Sequence, residues 1–235
     1  MIYITGDTHG EIDINKLSSR NFPIQKQLTK NDFVIICGDF GFIWANDNTQ
    51  KYWLKWFQNK KFHTLFIDGN HENFDLLNKY KIEEWNGGKI HRINDSIFHL
   101  LRGNVYNICG LRIFTFGGGE SVDKQYRIEN ITWWKEEMPN EEEYKNGLSN
   151  LKKHGNKVDL IVTHTAPSSI LKIIDIDNYS NFNDLSEFLD TIKNTVKYEK
   201  WFIGHYHLDK YYEKDKILLI NKEIEKIDLT IASTG

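Results

Sequence analysis

Three short runs in the first seventy residues most constrain the fold: Ile2-Tyr3-Ile4, Phe33-Val34-Ile35-Ile36-Cys37 and Thr64-Leu65-Phe66-Ile67. Each is β-branched or aromatic and meets a glycine within two residues, the signature of a short buried strand that ends in a turn. Between the second and third, the stretch Gln50 to Asn59 carries Trp53, Trp56 and Phe57 at i, i+3 and i+4, which is one face of a helix. Strand, helix, strand implies a crossover connection and a sheet that helices must cover. The expected fold class is therefore α/β with a parallel or mixed sheet.

From Lys89 to Gly117 the period changes. Ile90, Ile93, Ile97-Phe98, Val105-Tyr106, Ile108 and Leu111 to Phe116 are separated by Asn-Asp and Gly-containing turns, which predicts a series of short antiparallel strands. A polar helix is expected from Glu141 to Lys153, a buried strand at Leu160-Ile161-Val162 and a helix from Asp184 to about Val196. The closing strands are expected at Trp201-Phe202-Ile203, at Ile217 to Ile220 after a turn at Glu213-Lys214-Asp215, and at Ile227 to Ile231. With no repeat, low-complexity tract or Pro/Ser linker, residues 1–235 are expected to form a single domain.

Composition narrows the function. A chain of 235 residues with 40% hydrophobic side chains needs neither disulfide nor structural metal merely to fold, so any metal ligands call for another explanation. The formal charge of −3 argues against one broad basic face for nucleic acid. No apolar stretch reaches the length of a membrane span and no signal segment follows Met1, so the expected location is the cytoplasm. Cys37 and Cys109 each end an apolar run without a CxxC partner, and are expected to be two small buried side chains.

The chemistry is concentrated where the strands end. Asp7-Thr8-His9-Gly10 follows the first, Gly38-Asp39 the second and Gly69-Asn70-His71-Glu72 the third. His164 follows Leu160 to Thr163, and Gly204-His205-Tyr206-His207 follows Trp201 to Ile203. In an α/β sheet the carboxyl ends of the strands form the crevice where ligands bind. Singly these segments are ordinary turns, helix starts or edge-strand histidines, but five of the nine histidines fall in them. Carboxylate, imidazole and amide oxygen suit Mn, Fe, Co, Ni or Zn rather than a thiolate-bound ion. Seven such groups exceed one tetrahedral site, so two ions are the natural count. Residues two apart in extended chain share a side, which lets Asp-x-His or His-x-His supply two ligands.

The series Asp-x-His, Gly-Asp, Gly-Asn-His-Glu, His and Gly-His-x-His, in that order from Asp7 to His207, resembles the calcineurin-like metallophosphoesterase superfamily, and the stretch from Gly117 to Arg127 with Trp133-Trp134 beyond it resembles an insertion of its small bacterial and phage members. The resemblance implies a four-layer sandwich of two mixed β-sheets flanked by helices. It implies Asp7, His9 and His207 on a first metal, Asn70, His164 and His205 on a second, Asp39 bridging them, and His71 beside the leaving group. The cofactors implied are two divalent ions, with manganese favoured, and the substrate is a phosphate ester, either a small molecule or a nucleotide. Two cations roughly 3.5–4 Å apart make hydroxide available for in-line attack on phosphorus, and His71 is placed to protonate the departing alkoxide. Glu72 either orients His71 or is a helix N-terminal carboxylate. A nuclease, or a metal-binding module without turnover, are the alternatives.

One departure bears on substrate. Serine/threonine phosphatases of the superfamily continue Gly-Asp into an arginine clamp, whereas Gly38-Asp39-Phe40-Gly41 runs on into Phe42 and Ile43. A replacement is available in Gly117-Gly118-Gly119-Glu120-Ser121-Val122-Asp123-Lys124-Gln125-Tyr126-Arg127, where Lys124 and Arg127 face one way if the segment turns helical. The same stretch also reads as a surface loop, with Trp133-Trp134 beyond it as a lid on the core. Trp44 reads either as a base-stacking ring or as core. His63, His91, His99 and His154 belong to no constellation.

Overall fold

A computed structural model describes residues 1–174 and 182–228. The first half runs β1 (Ile2–Thr5), β2 (Phe33–Ile36), α1 (Asn48–Gln58), β3 (His63–Phe66), α2 (Phe74–Leu77), β4 (Ile82–Trp85), β5 (Gly88–Asn94), β6 (Ile97–Leu100), β7 (Asn104–Ile108) and β8 (Leu111–Phe116). The second half runs α3 (Glu141–Lys153), β9 (Leu160–Thr163), α4 (Ser168–Leu171), α5 (Asp184–Thr195), β10 (Lys200–Ile203), β11 (Lys210–Tyr212), β12 (Ile217–Leu219) and β13 (Ile224–Ile227).

The strands form two mixed sheets, one in the order β13-β1-β2-β3-β6-β5-β4 and the other β11-β12-β10-β9-β8-β7. β1, β2, β3 and β6 are mutually parallel, as are β8, β9, β10 and β12, with antiparallel strands added at the edges. Alternation along each strand creates three cores. Ile2, Ile4, Ile35, Leu65 and Ile67 meet Ile113, Leu160, Val162 and Phe202 between the sheets. Val34, Ile36 and Phe66 point outward to Phe57 of α1, and Phe114, Ile161 and Trp201 point outward to Leu185, Leu189 and Ile192 of α5. Three interfaces separate four layers, the α/β sandwich expected.

The expected antiparallel series from Lys89 to Gly117 is divided: β5 and β6 belong to the first sheet, β7 and β8 to the second. The final strand is Ile224–Ile227 rather than Ile227 to Ile231, and positions 229–231 lie outside the described residues. Its shift follows from pairing, because Ile2 lies opposite Ile227 and Thr5 opposite Ile224 in the antiparallel ladder. Helix α3 spans the expected residues because its ends are chemically marked. Asn140 accepts from the backbone of Glu142 and Glu143, Glu143 reaches back to Asn140, and Lys152 and Lys153 close the last turn. Cys37 is buried, but Cys109 is exposed, at positive φ in the turn between β7 and β8. No helix among the described residues is long and apolar enough to cross a membrane.

Candidate metal centre

The carboxyl ends of β1, β2, β3, β9 and β10 bring Asp7, His9, Asp39, Asn70, His71, His164, His205 and His207 together where the two sheets meet. Among the described residues, three trios have ligand atoms within 4.8 Å of one another: Asp7, His9 and His207; His9, Asp39 and His71; and Asp39, His164 and His205. Asp39 stands between the groups. Its Oδ2 lies 3.1 Å from His9 Nε2 and 2.9 Å from His71 Nδ1, and its Oδ1 lies 3.4 Å from His164 Nε2. Asp7 Oδ2 is 3.6 Å from His207 Nε2.

Strained backbone is concentrated here. His9, Asp39, His205 and His207 all adopt positive φ, between 43° and 68°. Each non-glycine residue so held costs of order 1–3 kcal/mol, sustained only where surrounding structure imposes it. The glycines between them are required for space: a Cβ on Gly38 would overlap the His164 ring, and one on Gly69 would overlap the Asp39 carboxylate. That is the physical content of the Gly-Asp and Gly-Asn-His spacings.

Asp7, Asp39 and His164 are almost wholly buried. Burial opposes charge on all three, yet Asp39 is held well below the usual carboxylate range by His164, His71 and His9. Asp7 is raised, because burial and the charge of Asp39 outweigh His164. Burial lowers His164, but Asp39 and Asp7 more than offset it and push it up to about 10. His205 is pushed down to about 3 by burial and by the charge on His164. Asp7 and Asp39 thus place two buried carboxylates beside one imidazole, and a bound cation would offset their mutual repulsion.

The imidazole of His164 is oriented for the task. Its Nδ1 donates to the Cys37 carbonyl at 2.8 Å, leaving Nε2 facing Asn70 Oδ1 at 3.1 Å. Such a bond sets the tautomer of a metal-binding histidine. Asn70 is oriented by a residue that sequence reasoning missed. Its Nδ2 donates to Ser121 Oγ at 3.1 Å, and the backbone N–H of Ser121 is held by the fully buried Glu137. The amide oxygen is thereby turned toward His164. The lone serine in a glycine-rich stretch had no spacing signal that could mark it.

The model of the calcineurin-like phosphoesterases matches residues 1–209 of the chain. The chain belongs to that family. No curated protein matches it. As a calcineurin-like phosphoesterase with clustered N and O donors, it is a metal-dependent hydrolase of phosphoester bonds in the general sense. The donor set fits divalent ions: carboxylates, imidazoles and one amide oxygen, without a thiolate.

Around this phosphoesterase site, several expectations are resolved. Glu72 neither orients His71 nor starts a helix. It is buried and accepts from the backbone N–H groups of Phe40 and Gly41, clamping the loop that carries Asp39, while Asn73 caps α2. Phe42 and Ile43 are core, as their apolar character requires. Lys124 and Arg127 diverge, because Lys124–Tyr126 is a single 3-10 turn that does not continue. Arg127 Nη2 reaches His71 Nε2 at 2.9 Å, whereas Lys124 pairs with Glu120 at 3.2 Å and lies over the Trp133 ring. An arginine only donates, so His71 Nε2 accepts and its Nδ1–H is directed at Asp39. Trp134 is buried, with its indole N–H on Asp75, and Trp44 is half-buried with its ring edge-on to Trp134.

His91 and His99, which no motif marked, join a second buried network. Asp68 accepts from Arg102 at 2.8 and 2.5 Å, His99 Nε2 lies 3.1 Å from it, and His91 backs His99. Asp68 lies two residues before Asn70, and its carbonyl takes the N–H of Gly118. Arg102→Met should destabilise the protein by about 3–5 kcal/mol, the usual cost of leaving one buried charge unpaired. Urea unfolding checks it: a loss under about 1 kcal/mol would mean that Asp68 finds another partner.

Proposed function

We propose that the chain hydrolyses phosphomonoesters or phosphodiesters at a binuclear centre. Asp7, His9 and His207 would hold one divalent ion, Asn70, His164 and His205 the other, with Asp39 shared. The observation that carries this reading is the position of Asp39, whose two oxygens face histidines from separate trios. Bound ions supply charge neutralisation for phosphate oxygens and a lowered pKa for water. Manganese is the favoured ion, and iron, zinc, cobalt or nickel fit the same donors.

The chain's own residues do the rest. Arg127 comes from the side of His71 that faces away from Asp39; its Nε pairs with Asp123 at 2.8 Å and its Nη1 donates to the Thr132 carbonyl at 3.2 Å, so offering its planar fork to a phosphate means exchanging those partners too. His71 is bound through Nε2 to Arg127 and holds its ring proton on the Asp39 side, so it serves as proton donor only once Arg127 has exchanged that nitrogen for the phosphate and the freed Nε2 has taken a proton from water, which it then passes to the leaving alkoxide. The arginine thus acts as a placeholder, and its transfer to substrate frees His71 to meet the leaving group. Lys124 and Arg127 are both paired with a carboxylate, but of the two it is Arg127 that also reaches His71, so Lys124 contributes less than the sequence suggests.

The test is a panel of 4-nitrophenyl phosphate, its bis ester, nucleotides, cyclic nucleotides and phosphopeptides, run with added manganese. Hydrolysis that disappears with chelator and returns with metal is expected. No turnover of any member with any of the five metals would sink the reading. Duplex DNA serves as the nuclease control, and the charge of −3 leads us to expect no cleavage. For Arg127→Ala, KM for 4-nitrophenyl phosphate should rise several-fold more than KM for the bis ester, since a terminal dianion uses the bidentate contact more fully. Equal rises would assign Arg127 to loop structure instead.

A further inference from the structure

A recess of about 370 Å³ opens beside the donor cluster, within the size range of small-molecule sites. His9 and Gly41 line it on the side of the centre, and Phe42, Trp44 and Trp53 supply aromatic walls. The rings are fixed before anything binds. Trp53 lies against Phe42 with centroids 5.4 Å apart, and its indole N–H donates to Glu11 at 2.5 Å. Trp44 is braced by Trp134 at 5.5 Å, and its backbone is bonded to Gln50 and Asn73. The ionisable groups joining His9 around the recess are both acidic, Glu11 and Asp47; no lysine or arginine lines it among the described residues. A phosphate is therefore disfavoured in the recess, while Arg127 provides for one beside His71.

We propose that this recess is a subsite for the organic group of the phosphate ester, and that it takes an aromatic ring that is uncharged or cationic. The proposal rests on the phosphoesterase reading above. With the phosphoryl group among the donors, the ester's ring extends past His9 and lies against Trp53 and Trp44. Two preorganised indoles favour a flat ring, which gives up little rotamer freedom on binding. A second negative charge on that ring meets Glu11 and Asp47, so esters carrying an additional carboxylate or phosphate are discriminated against.

Binding without turnover tests the subsite. Calorimetry on manganese-loaded protein compares methylphosphonate with 2-naphthylmethylphosphonate, and 4-carbamoylbenzyl- with 4-carboxybenzylphosphonate. The naphthylmethyl compound should bind about tenfold more tightly than the methyl compound, a ratio typical of one buried ring. Trp53→Ala should bring that ratio close to one. The carbamoyl compound should be preferred several-fold over the carboxy compound, and Glu11→Gln, which keeps an acceptor for Trp53, should remove most of that preference without touching the core. Equal binding of the methyl and naphthylmethyl compounds, no binding of either, or no effect of Glu11→Gln on the charge preference overturns the subsite. Turnover is scored separately: a protein that keeps these preferences yet hydrolyses no ester refutes the phosphoesterase reading and leaves the subsite standing.

Discussion

Asp39→Asn should cost the centre more metal than any other single change at a donor, with retained metal falling from two ions per chain to fewer than one. The carboxylate is 1% exposed and touches His9, His71 and His164, so its charge serves both halves of the site. An amide keeps the shape and removes the charge that, on the proposed reading, would balance two cations. Activity should fall at least about 10³-fold, because several kcal/mol of charge stabilisation go with the ions. Mass spectrometry of metal content after gel filtration checks it, with His207→Asn as the comparison, since half of the His207 side chain is solvent-exposed and it lies in only one trio. Retention of two ions at unchanged affinity would remove Asp39 from the shared position.

His71→Ala should separate chemistry from metal binding. Both ions should remain, while turnover drops by roughly 10² to 10⁴, the usual contribution of a general acid. The deficit should be largest for alkyl esters and smallest for nitrophenyl esters, whose leaving group barely needs a proton. The structure adds a control that the sequence could not supply. Because Arg127 binds His71 Nε2, the double variant with Arg127→Ala should lose less than the product of the two single losses. A deficit independent of leaving group, or strict additivity of the two losses, would count against the proton-donor role and the exchange with Arg127 respectively.

The donors were legible in the sequence because their chemistry depends on local order. Each of Asp7, His9, Asp39, Asn70, His71, His164, His205 and His207 lies a few residues beyond the end of an apolar run, and strand ends on one edge of a parallel sheet converge. The central strands were legible because short continuous runs of β-branched and aromatic residues bounded by glycine favour buried strands, whereas the polar edge strands Ile82–Trp85 and Lys210–Tyr212 carry no such run. Sheet membership was not. Residues Lys89 to Gly117 read as one antiparallel series, yet β6 pairs with β3 and β7 with β8 in another sheet, because an apolar run specifies a buried face and not a partner. Cys109 was misjudged for a related reason: hydrophobicity averages over a run, whereas its burial was decided by a turn geometry.

What the sequence by itself determined is most of the inventory: the central strands, though not the edge strands Ile82–Trp85 and Lys210–Tyr212, and the N and O donors that stand at the strand ends in the order of the calcineurin-like phosphoesterases. What only the tertiary structure decided is the orientation of each donor and its support. The Cys37 carbonyl sets the tautomer of His164, Ser121 turns the Asn70 amide, Arg102 and His99 anchor Asp68, and Arg127 rather than Lys124 reaches His71. These contacts join residues from 31 to 127 positions apart in the chain, and no local propensity encodes a hydrogen bond across such a separation. They form only when burial removes water as the competing partner.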